Sequence, residues 1–473
     1  MEFNSVEYII FLAAVFIIYQ FINQRLRLIL LLVASYVFYG CWNVKYSFLI
    51  VGITLASYIS GYGMQRFPNW KKKIVALSIL SLVFVLFIFK YFNFFGDFIN
   101  YLLTIRKIDI RISNLNILLP IGISFYIFQA ISYIMDVYRE KYAAEKSLLK
   151  YALYIAFFPQ LVAGPIERAD NIIPQLEKTY KFDYEQTTDG MILITWGLFK
   201  KMVIADELAV YVDMVYGNVV AYTGFSLVIA TVMFAIQIYC DFSGYSDIAI
   251  GSAKMFGINL MKNFHAPYLS CSLQEFWTRW HISLSQWLRD YIYIPLGGGY
   301  KGKVRANINL LITFLLSGLW HGANVTYLLW GGVFGLAGVV EKNIHIKRDG
   351  KLSKIIGIVV TFCISCFAWI FFRSNTLEEA KYIIYHLTEN ITQWRQYLSV
   401  GYQAIGWDTY KRIQIMISVL ILFLADIVQD KGIGLKWVRK LPVVIRWGIY
   451  ILLVLCVLLF SRKGGVEFVY FQF

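Results

Sequence analysis

Two histidines carry the chemistry this chain could do. His321 lies in the run from Asn309 to Trp330, which is almost wholly apolar and long enough to cross a bilayer. Lipid neither solvates nor pairs an ionisable side chain, so an imidazole there marks a candidate functional site. Such a histidine is either structural, with Ser317 (i−4) or Asn324 (i+3) as its partner, or a general base: a neutral imidazole with a pKa near or below 7. His281 belongs to the stretch from Phe276 to Pro295. There Trp277, His281, Leu284, Leu288 and Tyr291 recur at three- and four-residue spacing, with Arg279, Ser283, Gln286 and Asp290 opposite. That spacing predicts one amphipathic helix with His281 on its aromatic, inward face, ended by Pro295 and Gly297-Gly298-Gly299. On spacing alone His281 reads either as a core histidine held by a hydrogen bond or as a site group.

Two polar motifs accompany them. Asp241-Phe-Ser243-Gly-Tyr245-Ser-Asp247 could line a polar pocket or supply a helix N-cap. Gly164-Pro-Ile-Glu-Arg168 is a turn and a charged pair at the mouth of an apolar segment. His265, His345 and His386 fall in polar or loop-flanking contexts and read as solvated or interfacial. Cys363 and Cys366 have redox spacing but no basic neighbour, and read as small packing residues. No metal-ligand motif occurs, so no metal is expected.

The elements that must position these groups are membrane helices. The 473 residues are 59% hydrophobic and only 15% charged, which excludes an ordinary soluble enzyme. The net charge of +15 resides in short loops between apolar runs, so it signals topology and not nucleic-acid binding. Apolar runs of spanning length fall near 6–23, 27–42, 46–63, 74–95, 115–137 and 148–163, then 190–215, 223–241, 307–343, 354–373, 410–428 and 443–461. The first has no basic flank or cleavage site, so it reads as a retained helix. Lys and Arg in alternate loops place the N-terminus outside, although Arg106, Lys107 and Arg111 sit in an outer loop. The polar, Gly-rich stretches 163–190 and 241–303 imply re-entrant and interfacial helices, because irregular backbone at membrane depth must be buried in protein or line a watery cavity. The 307–343 run would extend roughly 55 Å against a core of about 30 Å, so it must break, with Gly318, Gly322, Gly331 and Gly332 as candidate points. No internal repeat is evident, which argues against an inverted-repeat transporter.

Trp280-His281-Ile-Ser283-Leu-Ser, Trp287-Leu-Arg289-Asp-Tyr-Ile-Tyr-Ile-Pro-Leu-Gly-Gly299 and Gly318-Leu-Trp320-His321-Gly-Ala323 resemble the membrane-bound O-acyltransferases, in particular the bacterial alginate and peptidoglycan O-acetyltransferase branch. The Gly164–Arg168, Asp241–Asp247 and Trp369-Ile-Phe-Phe-Arg373 motifs match that branch in kind and order. The resemblance implies an all-α polytopic membrane protein. It would be a ring of about 11–12 transmembrane helices, with re-entrant and interfacial helices, around a central tunnel. A single domain 1–473 would comprise N-terminal helices (1–150), a catalytic core with both histidine motifs (151–345), and C-terminal helices with an aromatic tail (346–473). By the same carry-over His321 is the catalytic base and His281 the second active-site position. Trp280, Ser283, Trp320, Asn324, Asp241, Ser243 and Tyr245 are candidates to line the tunnel or bind the donor. Charge nominates Arg279, Arg289, Lys303 and Arg168 for the phosphates of a CoA donor. Acetyl-CoA would act as substrate, with no resident cofactor, in a multi-pass protein of the bacterial cell membrane.

The C-terminal Phe468-Val-Tyr470-Phe-Gln-Phe473 resembles the acyl-carrying tyrosine tail of small partners in teichoic acid D-alanylation, with Gly465 where the longer pattern carries Phe. A phenol ionises near pH 10, far more readily than a sugar hydroxyl, so Tyr470 could accept acetyl and present it outside to a hydrolase-like (SGNH) acetyltransferase acting on a polysaccharide. Otherwise the tail is an interfacial anchor. D-alanyl transfer, direct transfer to a lipid and membrane transport are the alternatives.

Overall fold

A computed structural model describes residues 1–162, 164–344, 350–434, 436–462 and 468. Every regular element among them is helical. Six helices among the described residues are long and apolar enough to cross a membrane: Gln24–Arg66, Pro68–Ile105, Phe225–Met255, Lys351–Arg373, Thr409–Asp430 and Val443–Phe460. Two of the expected runs, 27–42 and 46–63, merge into the first of these. They meet at Asn43, whose backbone leaves helical geometry and whose side chain accepts from the Lys45 amide.

The chain forms two compact units, Met1–Met191 with Ala249–Met261, and Ile192–Ile248 with Lys262–Phe473. In the first, the run expected to be helical from 115 starts only at Ile123. Residues before it are extended, and two amides on the preceding helix bind their backbone. Asn100 exchanges two bonds with Ile112, and Asn93 two with Leu115, at 2.8–2.9 Å. Side-chain amides thus substitute for a neighbouring strand. Gly122 makes the turn into the Ile123–Tyr138 helix at a φ of 75°, where a Cβ would stand 2.2 Å from the Leu161 carbonyl oxygen. The expected 148–163 span is instead a short helix, Leu148–Ala156, broken before Pro159. Nine residues reach about 14 Å, under half the bilayer core. Tyr151 through Ala156 are accordingly buried in protein, and Tyr151 donates to Ser57.

In the second unit the 307–343 run breaks where its length required. Lys303–His321 and Val325–Asn343 form a helical hairpin, hinged at Gly322. Its two helices approach until backbone meets backbone. A Cβ on Gly318 would stand 2.2 Å from the Tyr327 oxygen, and one on Gly331 2.2 Å from the Phe314 oxygen. Small residues at such crossings are how membrane helices gain contact without a hydrophobic driving force. Gly331→Ala should therefore destabilise the purified protein by about 1–3 kcal/mol, seen as a lower melting temperature in detergent. Gly332→Ala, which meets only Leu315 at 3.9 Å, should melt as wild type.

Candidate functional site

Both histidines lie in the second unit. The expected continuous helix through His281 is not formed. Ser272 caps a helix over Leu273–Arg279, Trp280 is extended, and His281 adopts a left-handed conformation (φ 42°, ψ 55°) that starts Ile282–Leu288. Local hydrogen bonds hold this unusual turn. The Asn263 carbonyl accepts from the Ile282 amide at 2.9 Å, and its side-chain oxygen accepts from Ser283 Oγ at 2.7 Å. The Arg279 carbonyl accepts from the His265 amide at 3.0 Å. A left-handed non-glycine residue persists only where its surroundings over-determine it, and here the 263–265 backbone does so. Ser283, expected opposite His281, is buried in this clamp. Asn263 went unnoticed in the sequence because a lone asparagine in a polar stretch carries no periodic signal.

His281 is 1% exposed, its ring perpendicular to Phe242 with centroids 4.7 Å apart. Burial pushes its pKa down to about 3, so the imidazole is neutral at any physiological pH. His321 is the last residue of its helix and is also buried. Trp320, Trp330 and Phe372 surround it at 4.7, 4.9 and 5.1 Å. Trp320 also faces His281 at 5.9 Å, so one indole is shared by both imidazoles. The histidines, far apart in sequence, are brought to one place.

The side chains packed around the two imidazoles are aromatic. Trp280 packs on Trp369 at 5.1 Å, and Trp369 on Trp330 at 6.0 Å. The indole N–H groups of Trp330 and Trp369 are buried without a hydrogen-bond partner among the described residues. A buried donor costs free energy unless something bonds it, so these two suit a carbonyl-bearing ligand. The Trp369–Arg373 motif delivers Phe372 to His321. It also delivers Arg373 to Asp213 at 2.7 Å, with the guanidinium over Tyr216. Neither expected partner of His321 is used. Ser317 Oγ makes no hydrogen bond, and Asn324 caps the next helix through the Thr326 amide while donating to the Asn375 carbonyl.

Asp241, Ser243 and Tyr245 are not at a helix start. They lie midway along Phe225–Met255, so the N-cap reading is corrected: an apolar run on both sides lets the helix continue through them. Their partners are two adjacent buried lysines overlooked in the apolar 190–215 run. Lys200 Nζ meets Asp247 at 2.6 Å and Ser243 at 2.9 Å, and Lys201 meets Asp241 at 2.7 Å and Asp206 at 2.8 Å. Neighbours on an α-helix diverge by about 100°, yet both lysines reach the same facing helix. The wider π-turn over Phe199–Ala205 permits this, and a close crossing of Gly197 and Gly244 brings the helices together. The signal was available, because charges within an apolar run require internal partners.

The arginines expected at donor phosphates differ. Arg279 is held by Glu275 at 2.6 Å and Asp430 at 2.5 Å. Arg289 is largely exposed and pairs with its neighbour Asp290. Arg168 caps a helix of the first unit, after Glu167. Glu167 is fully buried, accepts from the Met261 amide and from Asn171, and burial raises its pKa to about 7. Tyr470 and His345 lie outside the described residues; Phe468 is described, buried against Tyr245 at 4.3 Å and Phe242 at 5.8 Å. Among the described residues no cluster could hold a metal ion.

The description "membrane-bound O-acyltransferase family" fits residues 61–377. Over 495 aligned residues the chain is 35% identical to a probable alginate O-acetylase of Pseudomonas putida, covering all of both chains. It is 34% identical to a peptidoglycan O-acetyltransferase of Helicobacter pylori, over 75% of this chain and 72% of that one. A teichoic acid D-alanyltransferase of Bacillus subtilis is 27% identical over 55% of this chain and 70% of that one. The chain belongs to the membrane-bound O-acyltransferase family. It is thus a multi-pass membrane enzyme, an O-acyltransferase.

Two predictions follow from the charges. Lys201→Met removes the cation that two buried carboxylates share and should cost roughly 3–5 kcal/mol, read as loss of the monodisperse folded peak in detergent. Wild-type yield and melting from that variant would refute the pairing. Glu167 binds its proton more tightly folded (about 7) than unfolded (4.5). Its stabilising proton uptake is therefore complete below pH 4.5 and lost as pH rises through 7. Glu167→Gln should flatten the fall in melting temperature between pH 5 and pH 8.

Proposed function

We propose that this enzyme moves an acetyl group from a cytoplasmic thioester, acetyl-CoA, across the bacterial cell membrane for O-acetylation of a cell-wall or extracellular polysaccharide. The observation that carries the proposal is the pair of buried imidazoles sharing the Trp320 indole. A thioester is already activated, so the acceptor hydroxyl needs only to lose its proton as it attacks. His321 takes that proton. It sits at the C-terminal end of its helix, where the negative end of the helix dipole favours the imidazolium as it forms. The hydroxyl oxygen bonds to the carbonyl carbon, the C–S bond breaks, and the CoA thiolate recovers the proton from His321. Charge building on the carbonyl oxygen needs donors in a dry site. Neutral His281 and the buried Trp330 and Trp369 N–H groups are suited to that role. Tunnel-lining roles are assigned to Trp280, Ser283, Trp320 and Asn324. Exposed Arg289 is assigned to the donor phosphates.

Tyr470 is proposed as the first acceptor. Phe468, two residues earlier, is buried on Phe242, which itself packs against His281. An acetylated tail would hand its group to an extracytoplasmic SGNH-hydrolase-like partner, with the N-terminus outside as the loop charges suggest. The names of the alginate and peptidoglycan relatives support acetyl over D-alanyl as the group moved.

Mass spectrometry of the purified protein after incubation with acetyl-CoA tests this reading. Wild type should gain acetate on Tyr470. His321→Ala should lose it, with transfer reduced about 10²- to 10⁴-fold. Tyr470→Phe should abolish the adduct and extracellular acetylation together. Full polysaccharide acetylation by Tyr470→Phe would remove the relay, and full transfer by His321→Ala would remove the base.

A further inference from the structure

Asp426 is a carboxylate, 4% exposed, within the membrane-spanning helix Thr409–Asp430. A leucine there would lie comfortably in lipid or protein, whereas a carboxylate at that depth is costly and needs a purpose. Both of its oxygens accept from the Tyr239 hydroxyl at 3.0 Å. One turn on, Asp430 binds the Arg279 guanidinium at 2.5 Å. Asp426 and Asp430 are four residues apart, so they share one face of the helix.

What they hold is informative. Arg279 and Trp280 are the two residues immediately before the left-handed His281. The Tyr239 ring, fixed at its hydroxyl end by Asp426, packs on the Trp280 indole at 6.2 Å. It also contacts Phe264 at 5.9 Å, one residue past the Asn263 clamp. Each acid therefore addresses one of the residues that set the direction in which His281 leaves the chain. The clamp at Asn263 fixes the turn from the C-terminal side, and this helix fixes it from the N-terminal side.

We propose that Asp426 and Tyr239 are positioning residues for acyl transfer. They form a brace by which the Thr409–Asp430 helix holds Trp280 and keeps His281 against Phe242 and Trp320. The brace rests on the reading of His281 as a site residue but makes its own structural claim. An imidazole displaced by an ångström can lose two orders of magnitude in rate while binding is unaffected.

The test uses the full-length protein in detergent, with two readouts. One is the rate at which diethylpyrocarbonate modifies His281, resolved by peptide mass spectrometry with His265 as internal reference. The other is kcat and KM for CoA release from acetyl-CoA. Tyr239→Phe and Asp426→Ala should each raise His281 labelling several-fold and lower kcat about tenfold, leaving KM unchanged. Asp426→Asn keeps an acceptor oxygen and should stay near wild type in both. Tyr239→Phe with Asp426→Leu removes both polar partners, so its melting temperature should recover while labelling and kcat stay perturbed, no worse than either single variant. Recovery of labelling and kcat in that double variant would overturn the brace, because the pair would then serve folding alone. So would wild-type labelling in Tyr239→Phe. Unchanged CoA release in His281→Ala and His321→Ala would instead sink the catalytic reading, and the labelling data would still judge the brace.

Discussion

The structure depends on one constraint. At membrane depth there is no water to satisfy a polar group, so the protein must supply every partner itself. Lys200 and Lys201 exist in an apolar run because Asp206, Asp241, Ser243 and Asp247 meet them at 2.6–2.9 Å. The left-handed turn at His281 survives because Asn263 answers both the backbone and Ser283. In each case a short polar side chain from a neighbouring segment does the work that solvent does elsewhere.

The same constraint explains where the helices are allowed to stop. The Lys303–His321 helix ends among Trp320, Trp330 and Phe372, and Gly322 continues the chain in extended form. A Cβ on Gly322 would lie 2.3 Å from the Tyr327 ring, so the chain can turn there only because the side chain is absent. The break is what puts an imidazole at a helix end instead of mid-helix. The glycine contacts at 318 and 331 then fix the returning helix, which carries Trp330 to the His321 ring. Backbone packing and site geometry are one arrangement.

Much of this was legible in the sequence, and the failures have physical causes. The break in 307–343 followed from length alone, and the burial of His321 from its apolar setting. The helix through His281 was misread because three- and four-residue spacing of Trp277, His281, Leu284 and Leu288 satisfies a helical template even when a turn interrupts it. Periodicity counts side chains and is blind to one residue with positive φ. Asp241 was read as a possible cap because Asp-x-Ser-Gly is typical of helix starts. The lysines that fix its true setting lie forty residues away, and pairing at that range leaves no local pattern. The 115–137 run began eight residues late because Pro120 and Gly122 punctuate it, and because amides outside the run hold its first part extended.

The aromatic packing around the two imidazoles excludes water, so a hydrogen bond or a charge there is felt more strongly than in solvent. Aromatic side chains also make few hydrogen bonds, and the Trp330 and Trp369 indole N–H groups are buried with no partner among the described residues. Burial lowers the pKa of His281 to about 3 and so favours its neutral form. His321, at a helix C-terminus, sits where the negative end of the helix dipole favours a positive charge. The two imidazoles therefore differ in backbone setting, one a left-handed turn and the other a helix end, and the roles proposed for them, hydrogen-bond donor and proton acceptor, follow that difference.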